Sequence, residues 1–156
     1  QSVPLKVSGK VDIITPLTKW VKKNYGRVIR SAQLKRKKID PALTASLEKV
    51  QKQKDIVCGI TTYNGLNTIS DLKCYLSYLQ QIEKVFPVTG KKVPQVALFN
   101  LVHRGPLDLD GQLWTKKVTV YDIIYEEASV MYNIAALYTI AAAQQLNVVE
   151  VVSRYG

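Results

Sequence analysis

The chain has 156 residues, of which 47% are hydrophobic and 22% are charged. This length suits one domain with a substantial core, and the hydrophobic content excludes an intrinsically disordered protein. Lys and Arg outnumber Asp and Glu by 22 to 12, so the net charge is +10. Two cysteines, Cys58 and Cys74, and the single histidine, His103, are too few for a disulfide framework or a four-ligand zinc site. We therefore expect reduced thiols, no metal and no cofactor.

The excess positive charge is confined to the first part of the chain. Residues 1–87 contain 16 Lys or Arg and 6 Asp or Glu, whereas residues 88–156 contain 6 of each. A one-sided basic surface suits phosphates, an anionic membrane or an acidic protein, and charge alone does not select among them. The start of the chain has no signal-peptide pattern, and Tyr, Asn, Thr and Gln interrupt the longest apolar segment. We therefore expect a soluble, cytoplasmic protein.

The first third of the chain predicts one short strand followed by helices. Weak alternation in residues 2–9 indicates a strand. Asp12 is a suitable N-cap for an amphipathic helix that ends near Gly26, because glycine favours helix ends. Residues 27–40 are compatible with a second helix, which Pro41 would end. The same proline is a good first residue for the next helix.

The rest of the chain predicts a loop, a helix, two strands and a long final helix. Gly, Thr and Asn are frequent in residues 58–68, which indicates a loop. Residues 70–87 have the apolar spacing of a helix. Strand-like runs at 95–102 and 113–122 flank a turn-rich connection, and a helix follows from about Tyr121 to Asn147. We therefore predict an α+β, mainly helical protein whose small three-stranded antiparallel sheet packs on long helices.

Sequence signatures of enzymes are missing from this chain. It contains no phosphate-binding loop, no GxGxxG, no GxSxG, and no arginine a few residues after either cysteine. Glu126 and Glu127 are neighbours on a helix and point about 100° apart, so they do not form a convergent acid–base pair. We interpret them as first-turn acids favoured by the helix dipole, and His103 as a surface residue. We expect no catalytic residue and no small-molecule substrate.

A basic run is the clearest feature that a hydrophobic core does not explain. It contains four consecutive charges, Lys35, Arg36, Lys37 and Lys38. These side chains could form a solvated helix face, or they could contact an anionic membrane surface or an acidic partner. Nucleic acid fits the charge, but the chain has no reading motif and no stacking platform. We take the four residues as candidate contacts for an anionic surface.

Three segments resemble the BRO-one domain, which opens ESCRT-associated adaptors such as ALIX. They are "SVPLKVSGKVDIITPLTKWVKKNYG" (Ser2–Gly26), "LKCYLSYLQQIEKVFP" (Leu72–Pro87) and "YEEASVMYNIAALYTIAAAQQ" (Tyr125–Gln145). The last segment is the most specific, because it resembles the family pattern Tyr-Glu followed by Leu/Tyr-Asn-x-(Ala/Gly)-Ala-Leu. Here the pattern falls on Tyr125, Glu126, Tyr132, Asn133, Ala135, Ala136 and Leu137. The "KNYG" that ends the first segment is closer to the branch containing the His-domain tyrosine phosphatase.

The resemblance implies a binding scaffold and not an enzyme. Its fold would be the first part of a curved helical solenoid. Its partner would be the C-terminal helix of an ESCRT-III subunit, charged multivesicular body protein 4, bound in a groove through apolar anchors at helical spacing. The implied location is cytoplasmic and peripherally endosomal, with a role in endosome to multivesicular body transport.

The resemblance weakens after Asn147. Residues 1–147 are identified as an N-terminal portion of a BRO-one-like domain, and residues 148–156 as a divergent tail. The family opens its next helix with Gly-x-Lys, and the corresponding place here lacks that glycine and has Ser153 instead of the lysine. Most groove-lining helices would follow Gly156, so we expect an incomplete domain whose groove residues are unknown. The alternative function is a small basic module for anionic membranes or acidic partners.

Overall fold

The computed structural model describes residues 5, 10–28, 41–86, 99–104, 115–120 and 122–155. Within these ranges the elements are, in chain order, α1 (Ile14–Val28), α2 (Pro41–Cys58), α3 (Leu66–Val85), β1 (Phe99–Arg104), β2 (Thr115–Val120) and α4 (Ile123–Tyr155). The helices pack mainly in chain order, α1 on α2, α2 on α3 and α3 on α4. The strands form an antiparallel pair in which Phe99 lies opposite Val120, and β1 contacts α4.

The predicted three-stranded α+β sheet is wrong. The sheet in the described residues has two strands, and helices make up most of the structure. Most of the predicted first strand lies outside the described residues, and Leu5, which is described, belongs to no strand and packs against the helical core. Pro4 offers a physical reason, since proline has no N–H to donate to a neighbouring strand. The fold is therefore a helical stack with a small hairpin.

Helix starts follow the local chemistry that the sequence predicts. Asp12 caps α1, because its Oδ1 accepts a hydrogen bond of 3.0 Å from the Thr15 N–H. A hydrogen bond from the Thr15 side chain, followed by the bond from its backbone N–H, lowers the pKa of the Asp12 carboxyl, since both favour the charged form. Pro41 is the first residue of α2, as predicted. Asp122 caps α4 by accepting a 3.0 Å hydrogen bond from the Ile124 N–H.

Helix ends and lengths differ more from the predictions. α1 continues two residues beyond Gly26, and α3 begins at Leu66, inside the predicted loop. α4 continues beyond Asn147 to Tyr155. No proline or glycine interrupts residues 123–155, and Glu150 pairs with Arg154 four residues later at 3.4 Å. The possible second helix at 29–40 lies outside the described residues.

The core is formed by the apolar stripes of the four helices. Ile13 and Leu17 beside α2, and Leu72, Leu79 and Ile82 on α3, are fully or nearly fully buried, as the spacing predicts.

Polar side chains connect successive helices across this core. Gln51 of α2 accepts a 2.7 Å hydrogen bond from the Ile13 N–H and donates a 2.8 Å bond to the Val11 carbonyl. Gln53 of α2 donates a 2.9 Å bond to the Asp71 carbonyl of α3. These bonds hold α2 in register with the elements on both of its sides.

Candidate interaction surface and the buried network beneath it

A buried polar network joins α2, α3 and α4 through one carboxylate. Lys54 is 0% exposed and Glu126 is 1% exposed. The Lys54 Nζ donates a hydrogen bond to Glu126 Oε1, and the buried Tyr75 hydroxyl donates to the same oxygen at 3.0 Å. The Lys54 Nζ also lies 5.3 Å from the centroid of the Tyr75 ring. One carboxylate therefore fixes the relative position of three helices.

The buried network stabilises the fold. A charge placed in a protein interior is tolerated when an opposite charge and hydrogen bonds replace its water. Burial, followed by the charge of Glu126 and its hydrogen bond, raises the pKa of the Tyr75 hydroxyl well above its usual value. Tyr75 therefore remains a hydrogen-bond donor at physiological pH. Since all three side chains are enclosed, none of them is available to a substrate.

Glu127 has a different environment from its neighbour Glu126. Its side chain is buried near Glu83 of α3, and its Oε1 has no hydrogen-bond partner among the described residues. Burial, the nearby charge of Glu83, their hydrogen bond and the charge of Asp122 all raise the pKa of the Glu127 carboxyl. Glu126 lies in the first turn of α4, as expected, but both carboxylates are buried where α4 packs on α3.

Replacing Glu127 with glutamine is expected to stabilise the protein at neutral pH. The pKa of Glu127 is higher in the folded state than in the unfolded state, so the folded state favours the protonated carboxyl. The stability that the protonated Glu127 contributes is fully present below the pKa that its carboxyl has in the unfolded chain. It is lost as pH rises through the higher pKa of the folded state. Glutamine remains neutral, so the stability of E127Q should fall less than that of the wild type above about pH 4.5.

Urea denaturation between pH 4 and 8 measures this difference. Glu48→Gln is the matched control, since Glu48 is exposed on α2. If Glu127→Gln and the wild type lose stability equally with rising pH, Glu127 does not hold a proton in the folded state.

The outer face of α4 is a continuous exposed surface of apolar and small side chains. It consists of Ile124, Ala128, Met131, Ala135, Tyr138 and Ala142, which follow one another at intervals of three and four residues. All six side chains are exposed, and the three large ones are 52%, 49% and 45% exposed in chain order. Exposed apolar surfaces that are continuous and not scattered indicate interaction sites. This outer face is the candidate interaction surface.

Contacts from α3 hold one edge of the outer face. The Lys73 Nζ donates a 2.6 Å hydrogen bond to the Tyr138 hydroxyl and lies 5.1 Å from the centroid of its ring. A cation over an aromatic ring is attracted to its electron-rich face. Tyr138 is thereby held in one position while its ring stays partly exposed.

α4 is strongly apolar along its whole length. By length and mean hydropathy, 1.2 over 18 residues, α4 is apolar enough to cross a bilayer, although the core helix of a soluble protein meets the same criterion. Its first half carries the buried Glu126 and Glu127 and packs on α3. Most of the apolar surface of this helix is left uncovered by the part of the chain that the structure describes.

The residues that sequence reasoning selected lie in several places. The basic run, Lys35, Arg36, Lys37 and Lys38, lies outside the described residues and stays a prediction. His103 is in β1, Cys58 is half-buried and Cys74 is exposed, and both thiols are free. Within the described ranges, no group of three His, Cys, Asp or Glu side chains is arranged to hold a metal ion.

Lys54 is the important residue that sequence reasoning missed. On α2 the apolar spacing of Leu47 and Val50 continues through Lys54 to Val57, and all four positions are buried. A lysine at a core position requires a buried partner, and the acids of an otherwise apolar α4 are the natural candidates. A lysine at a core position of α2, together with acids on the apolar α4, therefore indicated a buried ion pair from the sequence alone.

The family pattern on α4 has a physical basis in this arrangement. Its acidic position, Glu126, is the centre of the buried network, and Ala136 and Leu137 are buried in the core. Ala135 and Tyr138 lie on the outer face. The pattern thus combines a fixed anchor, a core contact and a small-residue surface on one helix.

Comparisons with known proteins agree with this geometry. Residues 1–152 match the family described as the BRO1-like domain. A solved structure, titled "ALIX BRO1 CHMP4C complex", matches with a TM-score of 0.63 and 21% sequence identity, over 92% of this chain and 37% of that chain. The present chain therefore spans about 37% of the length of that relative. No curated protein matches. The predicted resemblance is confirmed, and the chain belongs to the BRO1-like domain family.

Proposed function

We propose that this protein is a non-enzymatic scaffold that binds the C-terminal amphipathic helix of an ESCRT-III subunit, charged multivesicular body protein 4. The observation that carries this proposal is the family match over residues 1–152, together with the fold shared with the BRO1 domain of the ALIX BRO1 CHMP4C complex. The corresponding setting is cytoplasmic and peripherally endosomal, and the process is endosome to multivesicular body transport.

The physical properties of the helical stack support a binding function. Packed helices present grooves between their ridges, and an amphipathic helix binds such grooves through apolar side chains at intervals of three and four residues. The charged groups of the buried network are enclosed and serve the fold. The large exposed apolar side chains of α4 support this proposal, because apolar anchors of a partner helix pack on surfaces of that kind.

Titration with a fluorescently labelled C-terminal helix of charged multivesicular body protein 4C tests the proposal. Fluorescence anisotropy should show saturable binding by the full chain, with a dissociation constant of about 1–100 μM, as suits a transient helix contact. A helix of the same composition with a shuffled sequence should bind at least tenfold more weakly, since its apolar anchors no longer share a face.

Salt separates groove binding from simple charge attraction in this titration. Apolar binding should persist at 0.5 M NaCl, whereas attraction by the net charge of +10 should be screened. Equal binding of the two helices, or no binding by a chain shown to be folded by circular dichroism, would contradict the proposal.

The uneven charge supports a second candidate function, binding to anionic membrane surfaces. Residues 1–87 carry the whole positive excess, including the run at Lys35, Arg36, Lys37 and Lys38. Each basic residue near an anionic bilayer contributes about 1 kcal/mol. Co-sedimentation with vesicles containing 30% phosphatidylserine should decrease with salt and with reversal of these four charges to Glu. Equal sedimentation with neutral phosphatidylcholine vesicles would exclude this candidate.

A further inference from the structure

Positive charge is concentrated in a short segment of this chain that includes α1. Residues 13–39 contain nine Lys or Arg and no Asp or Glu. The rest of the chain contains thirteen basic and twelve acidic residues, so this segment carries nine of the ten net positive charges. α1 is the described part of the segment, and its packing therefore decides where three of these charges lie.

Three exposed lysines lie on one side of α1. They are Lys19, Lys22 and Lys23, and at 3.6 residues per turn they fall within an arc of about 100°. Leu17 lies on the opposite side of the helix and is fully buried. Among the described side chains, none of the three lysines pairs with an acid. We call these three residues the lysine face.

Contacts on the other sides of α1 fix the direction of the lysine face. Gln51 of α2 bonds to the backbone of Val11 and Ile13, immediately before α1. Trp20 of α1 packs edge-on against Phe86, with the ring centroids 5.5 Å apart. The helices pack in chain order, so α1 begins the stack and α4 ends it. The lysine face and the outer face of α4 are therefore separate surfaces.

The chemistry of the lysine face specifies an anionic partner. Any apolar segment can cover an apolar face, whereas lysines lose their hydration under a segment that brings no acids. Lysine is a flexible, hydrated point charge, and it requires no fixed pairing geometry. This property suits the mobile phosphates of a lipid bilayer. Geometric recognition of a carboxylate on a folded protein favours the fork of arginine instead.

We propose that the lysine face of α1 is a membrane-contact site that lies on the surface of an anionic phospholipid bilayer, with α4 at the other end of the stack. The proposal rests on the second candidate function, binding to anionic membranes, and assigns a surface to it. Each basic residue near such a bilayer strengthens binding roughly fivefold, so the three lysines together contribute roughly 100-fold.

Neutralising the lysine face tests this assignment. Replacing all three of its lysines by glutamine should weaken co-sedimentation with phosphatidylserine-containing vesicles roughly 100-fold at low salt. The matched control K49Q/K52Q/K84Q removes the same charge from exposed positions on α2 and α3, and it should weaken binding less than fivefold. Exposed substitutions of this kind usually change stability little, and circular dichroism checks that both variants are folded.

The result separates failure of this site from failure of membrane binding. Equal losses from the two triple variants, or no loss from either while the wild type binds, would overturn the lysine face and leave membrane binding standing. A wild-type chain that does not bind these vesicles, or that binds neutral phosphatidylcholine vesicles equally well, would overturn both. Binding to poly-glutamate without binding to the vesicles would assign the face to an acidic protein and contradict the proposal.

An environment-sensitive fluorophore tests the orientation on the bilayer. In a background with Cys58→Ser and Cys74→Ser, it is attached at Thr15→Cys, on the same side of α1 as the lysine face, or at Gln144→Cys on α4. Both positions are exposed. Vesicle binding should shift the emission at residue 15 to shorter wavelength and leave the emission at residue 144 unchanged. Equal shifts at both positions, or a shift at residue 144 alone, would overturn the proposed orientation.

Discussion

Replacing Lys54 with methionine is expected to lower the free energy of unfolding by about 3–5 kcal/mol. The substitution removes the positive charge that faces Glu126, while Glu126 stays in the core with its Oε2 already lacking a hydrogen-bond partner among the described residues. A buried carboxylate without its counter-ion retains the full cost of losing water. Urea denaturation followed by circular dichroism at pH 7 measures the loss.

A triple variant separates the charge effect from the packing effect. Lys54→Met, Glu126→Leu and Tyr75→Phe together remove the whole network and leave no buried polar group of the three unpaired. Replacing a buried ion pair by apolar side chains of similar volume is often neutral or stabilising. The triple variant should therefore recover most of the stability that Lys54→Met loses. Equal destabilisation of both variants would show that the shape of these side chains matters more than their charge.

Replacing Leu137 with alanine is expected to cost about 2–5 kcal/mol, because it removes a fully buried side chain and leaves a cavity between α3 and α4. Thermal denaturation and urea denaturation should agree on the size of this loss. The matched control on the same helix is Leu146→Ala, since Leu146 is 70% exposed.

The control is expected to change stability by less than about 0.5 kcal/mol, as exposed substitutions usually do. A large loss from Leu146→Ala would mean that the second half of α4 is covered in solution. A small loss from Leu137→Ala would mean that the core around Leu137 can collapse into the cavity.

The helices were predictable because local chemistry determines most of their starts and faces. Asp12 and Pro41 are strong start signals, and the stripes on α1 and α3 identified side chains that are buried. The end of α4 was harder to place, because Asn147 is compatible with both a helix interior and a helix end. Only the continued absence of glycine and proline indicated that the helix extends to Tyr155.

The sheet and the buried network depend on contacts that are distant in sequence, and sequence reasoning was weaker there. A third strand was inferred from a short alternating segment containing Pro4, and pairing of that kind cannot be read from one segment. Lys54 and Glu126 are 72 residues apart, so neither residue indicates its partner through spacing. The exposure of the outer face of α4 likewise depends on where the other helices pack and not on its own spacing.

The network around Glu126 has a consequence for how the protein unfolds. Helices that pack in chain order resemble a repeat array, in which each element depends mainly on its neighbours and can open separately. The hydrogen bond from Lys54 to Glu126 joins α2 directly to α4, although these two helices are not consecutive in the chain. These three helices should therefore open as one cooperative unit, with the slowest amide hydrogen exchange in the molecule. The exposed last turns of α4 lie outside that unit and should exchange first.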